Sequence, residues 1–339
     1  MSTPGPETPV VLSLLGVSKA FGAVQALQDV SFDCRAGEVH ALVGENGSGK
    51  STLLGIASGF LAPDQGEIEI GGRRRRRGSP AEARKQGLGI AYQTYSHIAD
   101  LSVAENLYLA VPAGERPPYG GMEKWAASTL TEFGLDVPVG APVATLSLAQ
   151  RQLLEVVKSL LAKPKVLLLD EPTTALGPQE VEQLQELVRA RSGAGVGIVY
   201  VSHRLPEVLG IADRISVLRD GVKQGTFAAA GMTEETLVAH MIGRPLQLAF
   251  PDRGDEGRAP EVLLDVSGLQ GDRFGPIDLK VEKGEILGLA GAEGNGQAQF
   301  LRALAGVERS SSGRVSCDAD ALNTRSPLTA LRQGVVLLS

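Results

Sequence analysis

The 339 residues carry 33 Lys and Arg against 39 Asp and Glu, a net charge of −6, and are 43% hydrophobic but only 4% aromatic. That length fits about two domains with ample chain for a buried core, and the low aromatic content suits an α/β protein with tight turns better than a β-sandwich. The negative balance argues against a nucleic-acid partner, and Cys34 and Cys317 lack metal-ligand spacing and suit unpaired thiols in a reducing compartment. With no apolar run near the ~18 residues of a membrane span, a cytoplasmic chain is expected.

Residues 1–12 read as a flexible tail, and residues 13–39 alternate apolar and polar positions with Gly breaks, as paired edge strands do. Phe21, among small residues at the turn, is either a half-buried core aromatic or a platform on which adenine stacks. The apolar run 39–43, with His40 its one polar member, predicts a short buried strand, and residues 51–59 predict a helix. Between them stands GENGSGKST, a match to G-x-x-x-x-G-K-[ST]. Its Gly44, Glu45, Asn46, Gly47, Ser48, Gly49, Lys50, Ser51 and Thr52 are the expected phosphate cradle. The glycines let backbone N–H groups turn inward, Lys50 reaches the β- and γ-phosphates, and the Ser51 hydroxyl ligates Mg²⁺.

The five arginines 73–77 suit a solvated edge that blocks strand-to-strand association, with a nucleic-acid or anionic-lipid contact as the alternative. A helix capped by Ser79 and a strand at 88–92 follow, and Gln93 then stands at a strand's C-terminal end, where ligands bind in such sheets. From 103 to 161 the pattern is helical, broken by two Pro/Gly-rich stretches, and predicts a helical insert. Its last helix opens at Ser147, with Leu153, Val156, Val157, Leu160 and Leu161 at helical spacing. The apolar strand 166–169 delivers Asp170 and Glu171, the first suited to orient Mg²⁺ and the second to activate an attacking water as general base. A further strand, 197–201, delivers Ser202 and His203 to the same edge. Alone His203 reads as structural; beside a phosphate loop it reads as a γ-phosphate ligand.

In this order the first ~245 residues resemble the nucleotide-binding domain of an ABC transporter. The resemblance implies Phe21 as the A-loop aromatic, 44–52 as Walker A, Gln93 as the Q-loop with a hand in Mg²⁺ binding, LSLAQ (146–150) as the signature, VLLLDE (166–171) as Walker B and His203 as the switch histidine. The signature departs from the usual LSGGQ at Leu148 and Ala149, and the usual Ser-Ala-Leu-Asp of the D-loop is here Thr174-Ala175-Leu176-Gly177. LSxAQ with the later YVSHRLPEVLGIADRISVLRDG and MIGRPL is similar to the first half of the tandem ATPases that drive bacterial monosaccharide and nucleoside importers.

An internal repeat supports that resemblance. Gly44 matches Gly291, 247 residues later, and the same offset carries Gly66 onto Gly313 and Ser79-Pro80 onto Ser326-Pro327. The second loop has Gln297 and Ala298 in place of Lys50 and Ser51, so it lacks the ammonium and the Mg²⁺ hydroxyl. The offset carries Gln93 one position past Ser339, which predicts a C-terminally truncated second copy.

The expected architecture is a P-loop NTPase fold of the ABC type, α/β, with an antiparallel β subdomain and a helical insert. It is divided as tail 1–12, first domain 13–245, linker 246–260 and partial second domain 261–339. The expected function is ATP and Mg²⁺ binding and hydrolysis powering import of a sugar or nucleoside. The implied partners are membrane permease subunits on the inner face of the plasma membrane, indirectly an extracytoplasmic substrate-binding protein, and a possible homodimer. A soluble tandem ABC protein acting on ribosome or DNA, or a non-catalytic nucleotide-binding remnant, is the alternative.

Overall fold

The computed structural model describes residues 8–75, 78–91, 96–243, 261–291 and 294–338, in two compact units, Met1–Leu248 and Ala249–Ser339. Residues 1–7 of the expected tail, Arg76, Arg77, Gln93 and the expected linker 246–260 lie outside the described residues.

In the first unit the chain runs β1 (Val10–Phe21), β2 (Val24–Arg35), β3 (Val39–Val43), α1 (Lys50–Ser58), β4 (Gln65–Ile70), β5 (Arg73–Arg75), α2 (Pro80–Lys85) and β6 (Leu88–Ala91). It continues through α3 (Val103–Ala110), α4 (Met122–Glu132), α5 (Leu148–Leu160), β7 (Val166–Asp170), α6 (Pro178–Gly193), β8 (Gly197–Val201), α7 (Leu205–Ile211), β9 (Arg214–Arg219), β10 (Val222–Ala228) and α8 (Glu234–Ile242).

One sheet, β2-β1-β4-β5, is antiparallel throughout. The expected tail is too long at its inner end, because β1 starts at Val10: Val10 pairs with Arg35, Leu12 pairs with Cys34 and Ile70, and Val11 and Leu12 are buried. The described part of the arginine run, Arg73–Arg75, is the edge strand β5. Arg74 ion-pairs with Glu69 at 2.8 Å along β5, while Arg75 turns inward and donates to the Ala57 carbonyl at the end of α1, 2.7 Å away. Charged side chains on an unpaired strand discourage a further strand from adding.

The other sheet, β10-β9-β3-β8-β7-β6, is parallel except for β10, which returns antiparallel on β9. Helices cover it, so strands such as Val166–Leu169 and Gly197–Val201 are buried on both faces and read as unbroken apolar runs. Each Leu or Val so buried stabilises by roughly 1.5–3 kcal/mol. In this order β3, β8 and β7 are neighbours, and their C-terminal ends open on one edge. The helical insert, α3, α4 and α5, is built on local signals: Ser102, Ser147 and, before it, Ser79 each cap a helix with a reciprocal capping box to Glu105, Gln150 and Glu82.

A polar seam ties the two sheets together. Asp33 on β2 holds Arg214 on β9 through both oxygens, at 3.0 and 2.7 Å, and Arg214 also reaches Glu38 at 3.3 Å. His40, fully buried, has Nδ1 2.6 Å from the Asp33 carbonyl and Nε2 2.8 Å from Ser216 Oγ. A carbonyl only accepts, so Nδ1 carries a proton, and a further proton would have to sit on Nε2 and charge the ring. Burial, reinforced by the charge of Arg214, pulls the His40 pKa down to about 3. The unfolded chain, at the ordinary value of 6.5, therefore takes up this proton first, and stability drains away as pH falls below 6.5, by about 1.4 kcal/mol per pH unit until the folded value is reached. The stability advantage of the wild type over His40→Gln, read from urea unfolding, should shrink by roughly 2–3 kcal/mol between pH 7.5 and 4.5. An advantage equal at both pH values would remove His40 from that account.

The second unit repeats the first sheet: β11 (Val262–Gly271), β12 (Phe274–Glu282), β13 (Ser312–Cys317) and β14 (Asp320–Ala321) lie in the order β12-β11-β13-β14. Its helices α9 (Gln297–Leu304) and α10 (Pro327–Arg332) match α1 and α2. The likeness extends to stereochemistry. Gly49 and Gly296, left-handed at φ 105° and 95°, precede α1 and α9. A Cβ at Gly59 would strike the Ser79 backbone, and one at Gly306 would strike that of Ser326. Among the described residues of this unit, 286–290, the counterpart of β3, form no strand.

Candidate functional site

The loop between β3 and α1 is shaped by contacts that only glycine permits. A Cβ at Gly44 would lie 2.1 Å from the Leu218 carbonyl oxygen, and one at Gly49, which has φ 105°, would lie 2.5 Å from that of Ala26. The loop is thus pressed between β9 and β2. It is further pinned by the turn after β9, where Gly221 N–H donates to the Ser48 carbonyl at 3.1 Å and the Gly221 carbonyl accepts from Gln28 N–H at 2.8 Å.

Lys50, the first residue of α1, is buried and folds back so that Nζ donates to the carbonyls of Gly44 (2.8 Å) and Glu45 (2.9 Å). Burial lowers its pKa, against the pull of Glu171 and Asp170, which face it. Asp170, at the end of β7, is raised by burial first and then by the charge of Glu171, with Lys50 opposing. Glu171 has φ +46°, a left-handed conformation that costs a non-glycine residue roughly 1–3 kcal/mol. Its N–H bond to the Val201 carbonyl (2.9 Å) and the Thr174 hydroxyl on its own carbonyl (3.1 Å) hold it there. Its Oε1 meets His203 Nδ1 at 3.1 Å, directly after β8.

These groups share one cleft of about 800 Å³, lined by Asn46, Gly47, Gly49, Lys50, Ser51, Thr52, Asp170, Glu171 and His203. The topology alone accounts for the meeting, since three adjacent parallel strands each deliver their next residues to the same edge. Val24, Gln25 and Ala26 at the start of β2, and Asp220 in the turn after β9, also line it. Sequence reasoning missed those four because no motif marks them; only the folding of the hairpin against the loop brings them in. Gly44, Glu45 and Ser48 shape the loop without lining the cleft. Two expected site residues stand apart from it. Phe21 is exposed at the end of β1 with Lys19 Nζ 5.6 Å from its ring centre, and Ser147 caps α5.

The donor set fits a magnesium nucleotide. The glycine-rich loop and one ammonium, that of Lys50, line the cleft and suit phosphate oxygens. A hydroxyl at Ser51 beside a single carboxylate at Asp170 suits a hard cation that keeps waters and phosphate oxygens as its other ligands. Bound Mg²⁺ would neutralise phosphate charge.

Fold and cleft together define a P-loop nucleotide-binding cassette. The family model described as ABC transporter matches residues 27–174 and 274–339, and the chain belongs to that family. It is 39% identical over 330 residues to the Ribose import ATP-binding protein RbsA 3 of Rhizobium meliloti, covering 96% of this chain and 64% of that protein. It is 40% identical over 338 residues to a Putative ribose/galactose/methyl galactoside import ATP-binding protein 1 of Burkholderia ambifaria, covering 99% and 65%. The chain thus spans just under two thirds of the length of these relatives. Among solved structures it is similar to a dimeric ATP-binding cassette in a post-hydrolysis state bound to ADP and Pi, with 25% identity, 65% of this chain and 100% of that one covered, and a TM-score of 0.59.

Proposed function

We propose that this chain binds MgATP in the cleft at Lys50 and hydrolyses it to energise import of a monosaccharide. The observation that carries the reading is the convergence of Lys50, Asp170, Glu171 and His203 on one cleft. Lys50 and the loop amides hold the phosphates, Ser51, Asp170 and Gln93 hold Mg²⁺, and Phe21, exposed outside the cleft, would support only a base that extends beyond it. Glu171 accepts a proton from the attacking water. Because a carboxylate accepts, His203 gives its Nδ1–H to Glu171, and its Nε2 can donate to a phosphate oxygen only when the ring is protonated. The names of the relatives favour a sugar over a nucleoside. The work would be done on the cytoplasmic face of a membrane with permease subunits as partners, fed by an extracytoplasmic substrate-binding protein; among the described residues no helix is long and apolar enough to cross a membrane.

Ser147 does not line the cleft of its own unit. The proposal is that the signature helix of a second copy completes it; the similar solved cassette is itself dimeric. ATPase rate per chain should then rise with protein concentration, and mixing Lys50→Ala with Ser147→Arg should restore activity that neither variant has alone. A rate strictly first order in protein, at concentrations where the chain sediments as a monomer, would contradict the paired site.

A further inference from the structure

Glu171 and His203 meet at the cleft, and one further carboxylate ties together the two segments that carry them. Glu207, in the first turn of α7, accepts the Thr173 hydroxyl on Oε2 at 2.7 Å and Arg204 Nη1 on Oε1 at 3.0 Å. Thr173 stands two residues after Glu171, and Arg204 directly after His203. Thr173 is buried, the Glu207 side chain is 15% exposed, and neither they nor Arg204 line the cleft. Ser202, also buried, adds a hold on the His203 side, its Oγ accepting from the Arg204 N–H at 3.0 Å. Tyr200, fully buried on β8, faces the same carboxylate: burial first and then the charge of Glu207 raise its phenol pKa, so Tyr200 brings no charge of its own.

The contact between Glu171 and His203 needs such support. Glu171 sits at φ +46°, and backbone of that kind persists only where its surroundings over-determine it. The His203 side chain is 55% exposed, so packing alone does not fix the ring. Two hydrogen bonds to one carboxylate, both charge-assisted, hold the two segments at a set separation, and without them the buried Thr173 hydroxyl loses its acceptor.

We propose that Glu207 is a positioning residue that sets the Glu171–His203 contact by tying Thr173 to Arg204. The proposal rests on the ATPase reading above, in which that contact orients the proton acceptor. Glu207 lies outside the cleft and acts only through the two segments it holds.

The test uses the full chain with Glu207→Ala, which removes both bonds, and Thr173→Val, which keeps the volume and loses the donor; Thr173→Ser restores the donor. Imidazole ¹⁵N spectra, at a pH high enough to keep the ring neutral and with the His203 signals assigned by their loss in His203→Ala, report which ring nitrogen carries the proton. In the wild type it should sit on Nδ1. In Glu207→Ala and Thr173→Val it should be shared with Nε2, and in Thr173→Ser it should return to Nδ1. The ATPase kcat should fall at least fivefold in the first two variants with KM for ATP within twofold. The double variant should be no slower than Glu207→Ala alone, because both substitutions break one network. General destabilisation would produce neither the split nor the rescue by serine. Should Glu207→Ala fold poorly, Thr173→Val and its serine rescue decide. A His203 ring that is unchanged in Thr173→Val, a shifted ring with kcat intact, a shift that serine leaves in place, or losses that multiply in the double variant would each overturn the proposal. Should the wild type show no turnover, the ATPase reading itself fails and the spectra alone decide: a shift reversed by serine upholds the positioning role, and an unchanged ring overturns it.

Discussion

Glu171→Gln should leave ATP binding within about twofold and lower turnover by roughly 10²-fold or more, the usual weight of a positioned general base. Glutamine keeps the length of the side chain and an oxygen that can accept from His203 Nδ1, so the 3.1 Å contact and the local fold survive while the proton acceptor is lost. The left-handed backbone at Glu171 sharpens the expectation, because the chain tolerates strain at φ +46° to hold this carboxylate next to His203 and Lys50. His203→Ala should likewise bind ATP and turn over slowly. A binding titration paired with a phosphate-release assay separates the two effects; full turnover in Glu171→Gln would show that another group takes the proton.

Lys50→Ala should do the opposite and weaken binding itself. A charge-assisted contact to phosphate is worth roughly 1.5–3 kcal/mol, so Kd for MgATP should rise about 10- to 10²-fold. The counterpart Gln297 begins α9 in the same frame, after the left-handed Gly296, and a Cβ on Gly291 would lie 2.0 Å from its Nε2, so the amide lies over Gly291 as Lys50 lies over Gly44. It brings no charge, and Gln297→Ala should change Kd by less than about twofold.

The cleft was legible in the sequence because each of its parts is local. A strand reads as an apolar run, the residue after it reads as a functional group, and parallel topology alone brings Lys50, Asp170, Glu171 and His203 to one edge. The capped helices were legible for the same reason, as Ser79 and Ser147 carry their signals within three residues. What depends on distant pairing was not. Val10 belongs to a strand only because Arg35 lies opposite it, 25 residues on, and the local sequence of the tail does not show that pairing. Val24, Gln25, Ala26 and Asp220 enter the cleft only through hairpin placement. Glu155 broke the apolar pattern of α5 without announcing Ser96, 59 residues earlier, as its partner. The one polar member of strand β3, His40, has its partners in the Asp33 carbonyl and in Ser216, 176 residues away, which nothing in the run itself announces.

The central claim is that one phosphate loop of the two in this chain holds MgATP. Calorimetric titration on the Glu171→Gln background, where bound nucleotide persists, tests it most directly by counting sites. The account predicts one site per chain, weakened about 10- to 10²-fold by adding Lys50→Ala and left unchanged by adding Gln297→Ala. Two sites of similar affinity, or equal losses from the two substitutions, would contradict it.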